Sequence, residues 1–183
     1  MVQSVFKRLE SIHELHESVH DRHTLLLKLK KELVAYSIFD FMQMHAELEK
    51  DCKYLPPIYK EIFRKKMSEQ LFLAFRSITS NESFQNQELD MEQFKDFIES
   101  FRYKIENMGI DEKYQMTVLY HLGALYNIFI RRTPPHPEGT PFPGGFFLEK
   151  VDGEYYCPVK DKQEDNTEAF CRFCVAKQMT QAL

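Results

Sequence analysis

The sequence predicts a mainly α-helical protein, a bundle of about five helices followed by a small C-terminal β-hairpin and a last helix. Three observations predict it. Apolar residues recur at spacings of three, four and seven through much of residues 1–132, the period of a single buried helix face. Prolines and cap-forming aspartates cut that stretch at helix-length intervals. The composition then changes after Arg132, where residues 133–145 hold five of the eight prolines and three of the six glycines, so no helix can continue.

The elements follow in order. Ile12, Leu15, Val19, Leu26, Leu29 and Leu33 form the apolar stripe of a long first helix. A second helical stretch, rich in Phe and Met, covers residues 37–52, and the pattern leaves open whether the two join as one bent helix. Leu55-Pro56-Pro57 forces a break, and proline suits the first turn of a new helix, which runs to about Ile78. Residues 79–89 are polar and read as a loop. Asp90, with Glu92 and Gln93 behind it, opens the next helix, and Gly109 is its expected C-cap. Asp111 caps another, reaching Arg132 through Met116, Leu119, Leu122, Tyr126 and Phe129, with Gly123 marking a close helix approach. FFLEKVDGEYYCPV reads as two strands around Asp152-Gly153, because such a turn needs positive φ. Asn166 or Thr167 then caps the last helix, EAFCRFCVAKQM.

A chain of 183 residues fits one domain, with residues 1–132 as bundle and 133–183 as tail. Hydrophobic residues at 43% and charged residues at 28% are ordinary for a globular protein. The net charge of −4 argues against nucleic acid as a partner, since phosphate neutralisation needs a basic face. The basic runs at residues 28–31, 64–66 and 131–132 read as solvated helix faces. MVQSVFKRLE lacks the apolar core of a secretory signal, and no apolar run approaches the roughly 18 residues that span a bilayer. The expectation is a cytoplasmic protein with no membrane partner, whose Cys52, Cys157, Cys171 and Cys174 stay reduced. Phe- and Met-rich helix faces would suit a homodimer.

HELHESVHDRH, residues 13–23, carries His13, His16, His20 and His23, four of the seven histidines. His16-Glu17-Ser18-Val19-His20 spells HExxH, in which two histidines four apart on a helix hold zinc and the glutamate acts as general base. At about 100° per residue, all four imidazoles fall within an arc of roughly 80°. The context argues the other way. Asp21 follows at once, position 23 rather than 26 carries the next histidine, and too little chain precedes His16 for a substrate-binding sheet. These histidines border an apolar stripe, so a zinc hydrolase is the third reading, behind two others.

The better candidate lies at the other end. Cys171 and Cys174 stand at i and i+3, and Cys157 closes a predicted strand just before Pro158. A hairpin end facing a helix suits a thiolate site, and soft sulfur ligands favour zinc or an iron–sulfur cluster over magnesium or calcium. Zinc wants a fourth ligand; His136 is the first choice, with Cys52 and His121 in reserve. Two other readings stay open: buried core thiols, and thiol redox chemistry. The loop HPEGTPFPGG has no phosphate-cradling motif, and its prolines stiffen it into either a shaped binding loop or a connector.

PPHPEGTPFPGGFF, YYCPVKDKQEDN and FCRFCVAKQ resemble, in that order, the C-terminal signature of an uncharacterised archaeal family, mainly from methanogens, that carries a domain-of-unknown-function label. The resemblance covers about Pro134 to Gln178. It implies that His136, Gly139, Thr140, Pro141, Pro143, Gly144, Gly145, Cys157, Pro158, Lys160, Gln163, Cys171 and Cys174 occupy signature positions. It implies no activity, and a methanogen source raises the standing of an iron–sulfur cluster. The functional expectation is an accessory protein whose tail is a Cys/His metal-stabilised module. The rival is an enzyme using the same thiols, with Lys160 or Glu138 as acid–base partner.

Overall fold

The computed structural model describes residues 18–52, 55–80, 84–108 and 112–180. Among them, five helices form the bundle: α1 (Arg22–Leu33), α2 (Ile38–Asp51), α3 (Pro57–Thr79), α4 (Met91–Asn107) and α5 (Glu112–Leu125). The tail adds a single turn, α6 (Lys160–Gln163), and short strands β1 (Pro141–Phe142), β2 (Phe146–Phe147), β3 (Glu149–Val151), β4 (Glu154–Cys157) and β5 (Lys177–Gln178). The mainly α class holds. No helix of the described residues is long and apolar enough to cross a membrane.

The expected long first helix is broken. Val19 and His20 are not helical; Asp21 is extended and caps α1 by accepting from the Thr24 backbone N–H at 2.8 Å. The break is pinned by residues 86–89: Arg22 N donates to Gln87 O at 3.0 Å and Leu89 N to His20 O at 3.1 Å. Helices α1 and α2 are separate, because Ser37 donates its backbone N–H to the Asp40 carboxylate at 2.7 Å and starts α2 afresh. Pro57 opens α3 as expected, and the Asp90 carboxylate caps α4 through Gln93 N at 3.1 Å. The expected caps Gly109 and Asp111 lie outside the described residues.

The core is aromatic. Phe94, Phe97 and Phe101 fall on one face of α4, each at most 1% exposed, and Phe94 and Phe97 meet Phe129 edge-on at 5.4 and 5.6 Å. Helix α5 continues into a π-helical segment, Tyr126–Arg131, whose residues 126–130 are all buried, and Arg132 ends it with φ 54°. At Gly123 an added Cβ would lie 3.1 Å from Leu71 Cδ2, so α5 and α3 approach as closely as the sequence suggested.

The hairpin forms where Asp152-Gly153 predicts it: β3 pairs antiparallel with β4 across Asp152 (φ 50°) and Gly153 (φ 87°). The last helix is a correction. Cys171–Phe173 is one 3-10 turn, after which Cys174 is extended and β5 pairs parallel with β4. One helix face could not serve both neighbours of this segment. Phe170 and Phe173 turn into the bundle, where they contact Phe97 at 5.6 and 5.0 Å, whereas Ala176 packs with Leu148 and Cys157 of the hairpin.

Candidate functional site

Residues 133–145 are a built wall. Gly139 N donates to Leu148 O at 2.8 Å and Leu148 N to Thr140 O at 2.9 Å. The fully buried Thr140 donates its hydroxyl to Pro137 O at 2.6 Å. Gly139 has φ +77°, the left-handed region that favours glycine, and a Cβ there would come within 3.1 Å of the mobile tip of Lys66. Three cavities open along this wall. One of about 230 Å³ takes Pro134, Pro137 and the exposed Glu138; one of about 360 Å³ takes Pro135 and His136; one of about 540 Å³ takes Pro141, Phe142, Pro143 and Gly144 with Cys52 and Tyr59. Asn127, carried by the π-helical segment, lines the first two, and Phe63 of α3 the last two. Gly145 faces Tyr59.

The three tail cysteines lie beside the middle cavity. Cys157 is buried at the end of β4 and shares an apolar cluster with Leu148, Ala176 and Cys174; Cys171 and Cys174 line the cavity itself. The Lys160 ammonium donates to the carbonyls of both Cys171 (3.2 Å) and Cys174 (2.6 Å), which holds the turn between them closed. Ala176 N donates to Cys174 Sγ at 3.5 Å. Burial first, then the charges of Cys157 and Cys174, push the Cys171 thiol up to about 11. Burial also raises Cys157 and Cys174, against backbone N–H groups of Val159 and Lys160 that favour the Cys157 thiolate, and against the Lys160 charge. Among the described residues, no group of three or more His, Cys, Asp or Glu side chains is already arranged to hold a metal ion. The thiols are close enough to raise one another, yet their sulfurs do not converge.

His136 stands elsewhere on the same cavity wall, packed against Phe63 (6.1 Å) and Phe142 (5.6 Å). Burial alone lowers its pKa to about 4, with no contribution from the thiols. The reserves are apart from the cluster: Cys52 packs with Leu48 and Met67, and His121 stacks on Phe101 at 4.3 Å. Gln163 holds the end of α6 by accepting from Asn166 Nδ2 at 2.7 Å. His13 and His16 lie outside the described residues. His20 and His23 are exposed, and the α1 break leaves His20 off the helix that an HExxH site requires. Asn127 was missed from sequence; a lone polar residue inside YNIFI was its available signal.

A helical bundle carrying a hairpin tail, a proline–glycine wall and a three-cysteine cluster defines the class of protein. The family model described as "Uncharacterized protein conserved in archaea (DUF2115)" matches residues 21–179, and the chain belongs to that family. It is similar to a UPF0305 protein of Methanothermobacter thermautotrophicus, with 32% identity over 84% of this chain and 94% of the relative. A UPF0305 protein of Methanocaldococcus jannaschii is 37% identical over 84% of this chain and 93% of its own length. One from Methanopyrus kandleri is 33% identical over 66% and 87%. No solved structure matches the chain.

Proposed function

We propose that Cys157, Cys171 and Cys174 are thiolate ligands of a soft metal ion, zinc in first place, in a cytoplasmic protein whose tail the metal ties together. What supports the reading is the gathering of the three cysteines. Two chain segments 14 residues apart bring them together: Cys157 and Cys174 share an apolar cluster, Cys171 and Cys174 share a cavity wall, and Lys160 stands beside all three. Three thiolates around a divalent ion leave one net negative charge, and the Lys160 ammonium beside them offsets it. His136, which lines the cavity together with Cys171 and Cys174, would be the fourth ligand.

The second reading, favoured by that open cavity, is an enzyme using the same thiols through an iron–sulfur cluster or thiol redox. Metal analysis separates the two. Protein made in zinc-supplemented medium and purified without oxygen should carry about one zinc per chain. Cys157→Ser, Cys171→Ser and Cys174→Ser should each lose most of it, while Cys52→Ser keeps it. Iron with inorganic sulfide would favour the cluster instead. Less than about 0.2 metal per chain, with the fold intact, would remove both metal readings. Self-association belongs to the same proposal: Phe39 and Met42 of α2 and Phe72 of α3 are more than 60% exposed, so sedimentation should show a dimer that Phe39→Ser with Phe72→Ser dissociates.

A further inference from the structure

We propose that the cavity bounded by His136, Asn127 and the Cys171–Cys174 turn binds an uncharged, largely apolar small molecule that carries one hydrogen-bonding group of the carbonyl or carboxamide kind. The inference goes beyond the metal reading: His136 serves this ligand in the metal-free protein, and a zinc ion that took His136 as its fourth ligand would compete with it. Its first ground is size. The cavity measures about 360 Å³. A cavity of about 150 Å³ accommodates benzene, so the space here suits a ligand of about ten to fourteen non-hydrogen atoms.

The second ground is the chemistry of the walls. Helices α2, α3 and α5 contribute Leu48, Phe63, Met67, Leu71 and Ala124, an apolar surface against which a ring or short chain would pack. The polar groups are few: the His136 ring, the Asn127 side chain, the two thiols, Tyr120 of α5 and, at the rim, Glu168. Asn127 is 5% exposed, and a buried amide in an otherwise apolar wall is placed to pair with a partner that enters the cavity.

The third ground is charge. Among the described residues the lining holds no lysine or arginine. Lys160, the cation beside the Cys171–Cys174 turn, is engaged by the carbonyls of both cysteines, so a carboxylate or phosphate in the cavity would meet no free cation on its wall and would carry the cost of a poorly paired buried charge. The one acidic residue in the lining, Glu168, is committed to Lys104 and remains 70% exposed, so it does not recruit a cation into the interior. Neutral ligands are what remain. The imidazole of His136 and the amide of Asn127 both hydrogen-bond a neutral carbonyl or carboxamide without a charge being buried.

Three probes of nearly equal size separate the terms: phenylacetamide, phenylacetate and ethylbenzene, titrated into the full chain by calorimetry and by amide chemical shifts. Phenylacetamide is expected to bind saturably. Phenylacetate should bind at least about tenfold more weakly, and ethylbenzene should fall between them. Filling the space with Met67→Phe should abolish phenylacetamide binding, and His136→Phe should erase its advantage over ethylbenzene while keeping the shape of the wall. The probe comparison on the unaltered chain stands alone if either variant misfolds. Absence of saturable phenylacetamide binding up to its solubility overturns the proposal, as does phenylacetate binding equally well. Performing the titration with metal-free and zinc-loaded protein keeps its outcome distinct from that of the metal reading.

Discussion

His121 is the residue with the most exacting surroundings. Its ring lies 4.3 Å from Phe101 in a stack and 4.9 Å from Phe170 edge-on, and its Nδ1 donates to the Thr117 carbonyl at 2.7 Å. Protonation would place a cation among phenylalanines. Burial therefore lowers its pKa to about 4, helped by Lys104 and opposed by the Thr117 carbonyl and Glu168. The unfolded chain, with histidine near 6.5, binds more protons than the fold between these values. Stability is thus fully present above about pH 6.5 and is lost as pH falls toward 4, by about 3 kcal/mol from this residue. His136, lowered to about 4 as well, acts in the same direction. Urea unfolding at about pH 7.5 and about pH 4.5 should show the loss, and His121→Phe should shrink the difference between the two. An unchanged difference would mean that the acid sensitivity lies in other groups.

At the scale of elements, what was legible in the sequence followed local chemistry. Asp152-Gly153 specified the β3–β4 turn because that pair holds φ 50° and 87° cheaply, and Pro57 and Asp90 opened α3 and α4 from their own side-chain constraints. The misses were decided by distant partners. Nothing local shows that residues 86–89 will pair with the chain at His20 and Arg22 and cut the first helix. Nothing local shows that Lys160 will take the carbonyls of Cys171 and Cys174, or that β5 will join β4. The site divides in the same way: three thiols and the proline–glycine wall were readable from spacing and composition, but Asn127 depends on a π-helical segment that no pattern announces. The hairpin gives the test at this scale. A Cβ at Gly153 meets nothing within 4 Å, so Gly153→Val should cost only backbone strain, about 1–2 kcal/mol, whereas Asp152→Asn should be close to neutral. Because β4 ends in Cys157, the same valine should loosen that thiol. Faster reaction of Cys157 with a thiol reagent is the expected signature, and unchanged reactivity would mean that the turn does not hold the cysteine in place.

For the whole molecule the question is what ties the tail to the bundle, since the cavity that Cys171 and Cys174 line exists only where the two meet. Phe97 is the joint. It contacts Phe129 of the bundle at 5.6 Å, and from the tail it receives Phe170 in a stack at 5.6 Å and Phe173 at 5.0 Å. Phe173 is 4% exposed and lies in the same core cluster as Phe94, Phe101 and Phe129, so the main core is completed by a residue from the tail. Removing that ring leaves a cavity inside the bundle as well as a loosened tail. Phe173→Ala should therefore cost roughly 3–5 kcal/mol, as a large buried aromatic does. The loss should lower a single unfolding transition, with far-UV circular dichroism reporting the helices and the reactivity of Cys157 toward a thiol reagent reporting the tail in step. The metal reading adds a further expectation: a chelator should weaken the zinc-loaded protein but not Phe173→Ala to the same degree, because a displaced tail no longer presents three thiols together. A tail signal that melts well below the helices in the unaltered protein would contradict this coupling, and the cavity would then be a feature of two loosely joined parts.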